Sequence, residues 1–193
     1  MAILAGGLAI LVGAAIAGLL FLPLDRGVWR WVLIAALAIA VIGAIDDLRE
    51  LSVAPKLAGQ VVAAFIVVEA GVVVEDFTLP VIERVELGDL GAPLTLLGLV
   101  AVMNVVNFSD GVDGLAAGVC AISGITFAII SLSLGRPNAA VLSAIVAGAC
   151  LGFLRHNFYP ARIFMGDSGA LLLGFTLATL SVQGLLKTAA TVA

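Results

Sequence analysis

The stretch LAAGVCAISGITFAIISLSL, Leu115 to Leu134, runs for twenty residues without a charged side chain. A helix needs about 20 predominantly apolar residues to cross the hydrocarbon layer of a bilayer. Six further apolar stretches flank it: Met1–Leu22, Val28–Ile45, Leu57–Val74 and Pro93–Phe108 on the N-terminal side, Asn138–Leu154 and Ala170–Leu186 on the other. The chain is 63% hydrophobic and 11% charged. Soluble domains are about 45–50% apolar and about 25% charged, so a bilayer rather than a soluble core sets the architecture. The expected fold is all-α, a polytopic membrane helical bundle of about seven transmembrane helices. It forms a single integral membrane domain over residues 1–193.

Several stretches are short for a perpendicular helix, which suits a protein whose active residues cap helices at the interface. The first apolar run lacks a preceding basic region and is read as a retained span, not a signal peptide. Trp29 and Trp31 fit an interfacial aromatic belt. Cys120 and Cys150 lie inside apolar runs with no metal or redox spacing, and are read as buried small hydrophobes. Nine basic against thirteen acidic residues, formal net charge −4, excludes nucleic acid as a partner, because phosphate backbones are bound by clustered Lys and Arg.

Seven spans place the loops alternately on two sides. One side receives Asp46–Lys56, Ser109–Gly114 and Arg155–Ser168; the other receives Pro23–Gly27, Glu75–Ala92 and Leu134–Pro137. Within the one long loop of the second side, Val81-Ile82-Glu83-Arg84-Val85-Glu86-Leu87, closed by Gly88, alternates enough for a short hairpin. Lys and Arg do not orient the chain. Arg49, Lys56, Arg155 and Arg162 fall on the first side, and Arg26, Arg30, Arg84, Arg136 and Lys187 on the second.

The first side also collects Asp46, Asp47, Asp110, Asp113 and Asp167, each at the end of an apolar span. Ionisable groups there are costly and usually serve a purpose. Crowded carboxylates at a low-dielectric boundary repel unless a cation neutralises them. An all-oxygen ligand set without Cys or His clusters favours Mg²⁺ or Mn²⁺ over zinc.

Three strings carry these acids. Asp46-Asp47 directly follows an apolar run and precedes Arg49, Glu50, Leu51 and Lys56-Leu57-Ala58-Gly59-Gln60; the bland alternative is a solvated helix end. In Asn104-Val105-Val106-Asn107-Phe108-Ser109-Asp110-Gly111-Val112-Asp113-Gly114, polar residues recur every third position. A continuing helix would turn them into one polar stripe, with Gly111 and Gly114 ending it; the alternative is an Asx-rich turn. In the string from Arg155 to Gly169, Asp167-Ser168-Gly169 could cap the last span, and a helix N-terminus is also a ready phosphate site. His156, the only histidine, reads as structural. Glu69, the one acid within a span, reads as lying near the second interface.

Together the strings resemble the polyprenyl-phosphate N-acetylhexosamine-1-phosphate transferases, the glycosyltransferase 4 family that includes the MraY and TagO/WecA-type enzymes. Gly6-Gly7-Leu8-Ala9-Ile10 resembles the family's glycine-rich motif, and Asp46-Asp47 with Lys56 its DD…K motif. Asn104–Gly114 resembles NxxNxxDGxDGL, and Phe164–Gly169 resembles FMGDxG. The closing Leu180-Ser181-Val182-Gln183-Gly184 looks more TagO/WecA-like than MraY-like. Ala170 departs from the Ser usual after MGDxG. The resemblance also places the family's first helix before residue 1, and a His-containing loop that grips the diphosphate after Leu186. It leaves open whether the sequence is a fragment or a degenerate paralogue.

The resemblance implies a bacterial cell membrane enzyme with its acidic side cytoplasmic and the Glu75–Ala92 hairpin on the outer face. It would transfer a sugar-1-phosphate, with GlcNAc-1-phosphate the first choice, from a UDP-sugar to undecaprenyl phosphate and release UMP. Asp167 and Asn107 would hold Mg²⁺ (or Mn²⁺), and Lys56 would contact phosphate oxygens. Asp113 would bind uracil, Asn157 would lie near the nucleotide sugar, and Asn104 would join the substrate-binding set. Asp46 and Asp47 would sit beside the lipid phosphate, with Asp110 supporting the metal region. Direct in-line attack is the expected mechanism, against a two-step route through an aspartyl-phosphate on Asp46 or Asp47. The implied partners are the UDP-sugar, undecaprenyl phosphate and the bilayer, and a homodimer is compatible. The alternatives are a phospho-MurNAc-pentapeptide transferase and, from another class, a transporter or non-catalytic membrane scaffold.

Overall fold

The computed structural model describes residues 2–25, 27–78 and 84–184. Seven α-helices account for almost all of it. They are α1 (Ala2–Phe21), α2 (Trp29–Arg49), α3 (Val53–Glu69), α4 (Gly91–Ser109), α5 (Leu115–Ser133), α6 (Pro137–Asn157) and α7 (Gly166–Gly184). A two-stranded antiparallel ribbon, β1 (Asp76–Thr78) and β2 (Arg84–Glu86), and a 3₁₀ turn at Gly88–Leu90 join α3 to α4. The segments Trp29–Arg49, Gly88–Ser109, Leu115–Ser133 and Pro137–Asn157 are long and apolar enough to cross a membrane. The outer surface is apolar too, with Leu20 71%, Leu97 64%, Ile122 68% and Leu132 64% exposed. Such a surface suits lipid rather than water as the surrounding solvent. The fold is an all-α membrane bundle.

Helix α7 is its axis. Fifteen of its nineteen residues are buried, and it packs against α1, α2, α4, α5 and α6. Small residues permit that approach, as expected where membrane helices associate by van der Waals packing. A Cβ on Gly174 would stand 2.7 Å from Met103 Cα of α4. The Thr176 and Thr179 hydroxyls donate to the carbonyls of Leu172 and Phe175, so neither polar group is buried without a partner. At the far end of α7, Arg136 donates to the Gln183 carbonyl and complements the negative helix terminus.

Several element boundaries differ from those read in the sequence. Helix α2 continues through Arg49, so Asp46 and Asp47 occupy its last turn rather than a loop. Helix α3 begins at Val53, which puts Lys56 inside its first turn. Helix α6 opens with Pro137, whose missing N–H costs nothing at a helix start, and extends to Asn157. The hairpin exists, but its first strand is Asp76–Thr78, upstream of the alternating run; Val81, Ile82 and Glu83 lie outside the described residues. Trp29 is buried at 9% exposure, so it belongs to the core, and only Trp31 faces outward, with the Arg30 guanidinium 5.0 Å over its ring. Glu69 is the exposed last residue of α3, at the end away from Lys56. Cys120 and Cys150 are buried free thiols.

Candidate active site

The ends of α2, α4 and α6 and the beginnings of α3, α5 and α7 gather at one end of the bundle. Lys56 stands at its centre. Its ammonium lies 2.8 Å from Asp46 Oδ2 and 2.7 Å from Asp167 Oδ2, bridging helices α2, α3 and α7. The remaining Asp46 oxygen, Oδ1, accepts the Leu51 N–H at 2.7 Å, which folds the α2–α3 turn back onto the helix end. The remaining Asp167 oxygen accepts a short hydrogen bond from the Asn107 side-chain amide. Asp46 is 6% exposed, whereas Lys56 and Asp167 are 20% and 28% exposed. The Lys56–Asp167 edge is therefore where a substrate can approach.

The first turn of α7 is held by two other carboxylates. Asp47 Oδ1 accepts the Asp167 N–H at 2.7 Å and Oδ2 accepts the Ser168 N–H at 3.2 Å. Gly166 N–H donates to Asp110. These three amides are thus already engaged, and the expectation that this helix end receives a phosphate is not met at them. Burial pushes the Asp110 carboxyl up to about 6; the Gly166 hydrogen bond opposes the rise, while the charges of Asp167 and Asp47 add to it.

The polar stripe of the second string is shorter than its spacing suggested. Helix α4 ends at Ser109, so only Asn104 and Asn107 share a face. Asn107 reaches Asp167. Asn104 instead makes a reciprocal amide pair with Gln60 of α3, at 2.6 and 3.4 Å, and also donates to the Val100 carbonyl. Gln60 is 1% exposed, and the sequence reading assigns it no role. The signal was available: Gln60 lies one turn after Lys56 in an otherwise apolar helix, as Asn104 lies one turn before Asn107.

Asp113 and Asn157 meet the loop after α6. Asp113 Oδ2 accepts the Ala161 N–H at 3.0 Å. Asn157 accepts the Gly114 N–H and donates to the Ile163 carbonyl, both at 3.0 Å, and is only 3% exposed. Gly114 adopts φ +72°, which turns its amide back toward that loop and starts α5. Asn157 is a loop clamp whose amide is occupied on both sides, not a free contact for a sugar. Asn104 is likewise engaged between helices. His156 is exposed and lines a cavity of about 490 Å³ between α1 and α6; none of the five aspartates lines it.

Among the described residues no three His, Cys, Asp or Glu side chains form a metal cage. Mg²⁺ does not require one, since it commonly takes one or two carboxylates together with waters and substrate phosphates. Asp167 with Asn107 fits that pattern, because turning the Asn107 amide over presents its Oδ1 to the same position.

The chain belongs to glycosyl transferase family 4, whose model matches residues 29–185. It is 40% identical to a probable undecaprenyl-phosphate N-acetylglucosaminyl 1-phosphate transferase of Bacillus subtilis, over 94% of this chain and 51% of that protein. It is also 40% identical to a decaprenyl-phosphate N-acetylglucosaminephosphotransferase of Mycolicibacterium smegmatis, over 91% of this chain and 48% of that protein. A phospho-N-acetylmuramoyl-pentapeptide-transferase of Desulforudis audaxviator is 38% identical, over 92% and 61% respectively. The chain spans about half the length of the first two relatives.

Proposed function

We propose that this protein transfers a sugar-1-phosphate from a UDP-sugar to undecaprenyl phosphate, releasing UMP, at the cytoplasmic face of a bacterial membrane. The observation that carries this is the half-open Lys56–Asp167 edge beside Asn107 at one end of an apolar bundle. A lipid phosphate and a soluble nucleotide can meet only at such a boundary. Phosphoryl transfer depends mainly on positioning and on neutralising oxygens. Lys56 supplies a positive charge to the pyrophosphate as it leaves Asp167. Asp167 and Asn107 would hold Mg²⁺, which when bound polarises the phosphate oxygens. GlcNAc is the favoured sugar, in keeping with the names of the Bacillus and Mycolicibacterium relatives.

Direct attack by the lipid phosphate on the β-phosphorus is favoured. A phosphate monoester has a second pKa near 6, so it is largely ionised at neutral pH and needs little help from a base. Asp46 and Asp47, the two candidates for a covalent route, each have both oxygens engaged by protein donors.

The test is Mg²⁺-dependent UMP release from UDP-GlcNAc with undecaprenyl phosphate, run on this chain and on a version extended to the length of its relatives. Release by the extended protein, abolished in Asp167→Asn, is the expected result. Absence of release from the extended protein with either UDP-GlcNAc or UDP-MurNAc-pentapeptide would overturn the proposal. Release with the second donor alone would reassign the sugar.

A further inference from the structure

Gly43 and Asp47 lie one turn apart on α2, on the same face, and both meet the backbone of the turn that carries Asp167. A Cβ on Gly43 would stand 2.5 Å from Ser168 Cα, 2.6 Å from Ser168 N and 2.7 Å from the Asp167 carbonyl carbon. Distances below 3.0 Å to backbone cannot be relieved by rotating a side chain. Only a residue without a Cβ lets α2 come this close. That approach brings the Asp47 carboxylate, one turn on, to the Asp167 and Ser168 amides. Helix α1 closes on the same turn. A Cβ on Gly7 would stand 2.6 Å from Gly169 N and 2.8 Å from the Met165 carbonyl oxygen, and one on Gly6 would stand 2.1 Å from the Phe164 carbonyl oxygen.

From this we infer that Gly43 and Asp47 are positioning residues. They form a backbone clamp that sets where the Asp167 carboxylate stands relative to Lys56 and Asn107. A carboxylate at a helix N-terminus accepts amides left without intrahelical partners and opposes the positive end of the helix. Here that carboxylate comes from a different helix, so it also fixes the relation between α2 and α7. Asp47 thereby acts on the reaction through Asp167, not by touching the lipid phosphate or becoming phosphorylated. The inference about catalysis rests on the proposed function; the clamp itself does not.

The experiment uses Asp47→Asn, which keeps the size of the side chain but offers one acceptor oxygen instead of two, and Gly43→Ala. Amide hydrogen exchange of the detergent-solubilised chain is followed at residues 165–169 and, as the internal control for folding, at 172–180. Faster exchange at 165–169, on the order of tenfold or more, with 172–180 still protected, is expected for both variants. Mn²⁺ binding, read by electron paramagnetic resonance without substrate, should weaken about 10–100-fold, as it does when an outer partner of a metal ligand is lost. Unchanged exchange at 165–169 in Asp47→Asn overturns the clamp. A raised KM for the lipid acceptor in that variant, with exchange and Mn²⁺ binding unchanged, would return Asp47 to the acceptor site. If the wild-type protein extended to the length of its relatives releases no UMP with either donor, the proposed function fails while the exchange result still decides the clamp.

Discussion

Lys56 Nζ and Asp167 Oδ2 stand 2.7 Å apart although 111 residues separate them in the chain. One residue lies in the first turn of the third helix and the other in the first turn of the seventh. Their meeting, with Asp46 as a third partner and Asn107 on the other Asp167 oxygen, brings three interfacial strings into one site. The ammonium offsets two carboxylates, one of them buried, and itself stays partly exposed. Removing either partner should therefore separate stability from chemistry.

Replacing Lys56 with Met leaves the buried Asp46 without its cation. UMP release is expected to fall by about 10²–10³-fold in kcat, the magnitude typical of losing one preorganised electrostatic group. Thermal stability should also fall. Adding Asp46→Asn to Lys56→Met should recover most of the stability without recovering activity, since it removes the unpaired charge but not the need for the ammonium. Full recovery of activity in the double variant would count against the role of Lys56.

Asp110 makes stability depend on pH. Its folded-state pKa is raised from 3.8 to about 6. Below 3.8 the carboxyl is protonated in both folded and unfolded chains. Between those values the unfolded chain gives up its proton while the fold retains it, so stability falls as pH rises, and it levels off above about 6. Melting temperatures of metal-free protein between pH 4 and 7.5 should show this decline. Asp110→Asn, which can still accept the Gly166 N–H, should flatten it.

The Gln60–Asn104 pair should behave as a matched unit. Gln60→Leu alone strands part of a buried amide and is expected to cost about 1–3 kcal/mol. Joining it with Asn104→Leu should restore much of that loss, because no polar group then lacks a partner. Both forms should lower activity by letting Lys56 and Asn107 move relative to each other. Melting temperatures across the double-mutant cycle, compared with UMP release, check both expectations.

Asn157→Ala should free the loop between α6 and α7. The Gly114 N–H and the Ile163 carbonyl lose their side-chain partner, and hydrogen exchange across residues 158–163 should rise even without ligand. Protection that changes only when nucleotide is present would instead support a direct contact between Asn157 and substrate.

Much of this protein is legible without coordinates. Uninterrupted apolar runs such as Leu115–Leu134 determine helices and their surroundings, because backbone polar groups in lipid must be satisfied within each segment. Alternation of spans then puts Asp46, Asp47, Asp110, Asp113 and Asp167 at one end, and their strings resemble the family to which the chain belongs. What the sequence does not determine is how each acid is used. Asp46 and Asp47 are neighbours in the chain, yet they project about 100° apart on a helix. One therefore meets Lys56 and the other caps α7. Asp113 leaves the expected stripe because α4 ends at Ser109, and it holds the loop at Ala161 instead. Gln60 and Gly43 acquire meaning only from what lies opposite: Asn104 for the first, the Ser168 backbone for the second. Those partners lie far along the chain, and only the packing of α7 among its neighbours brings them within reach.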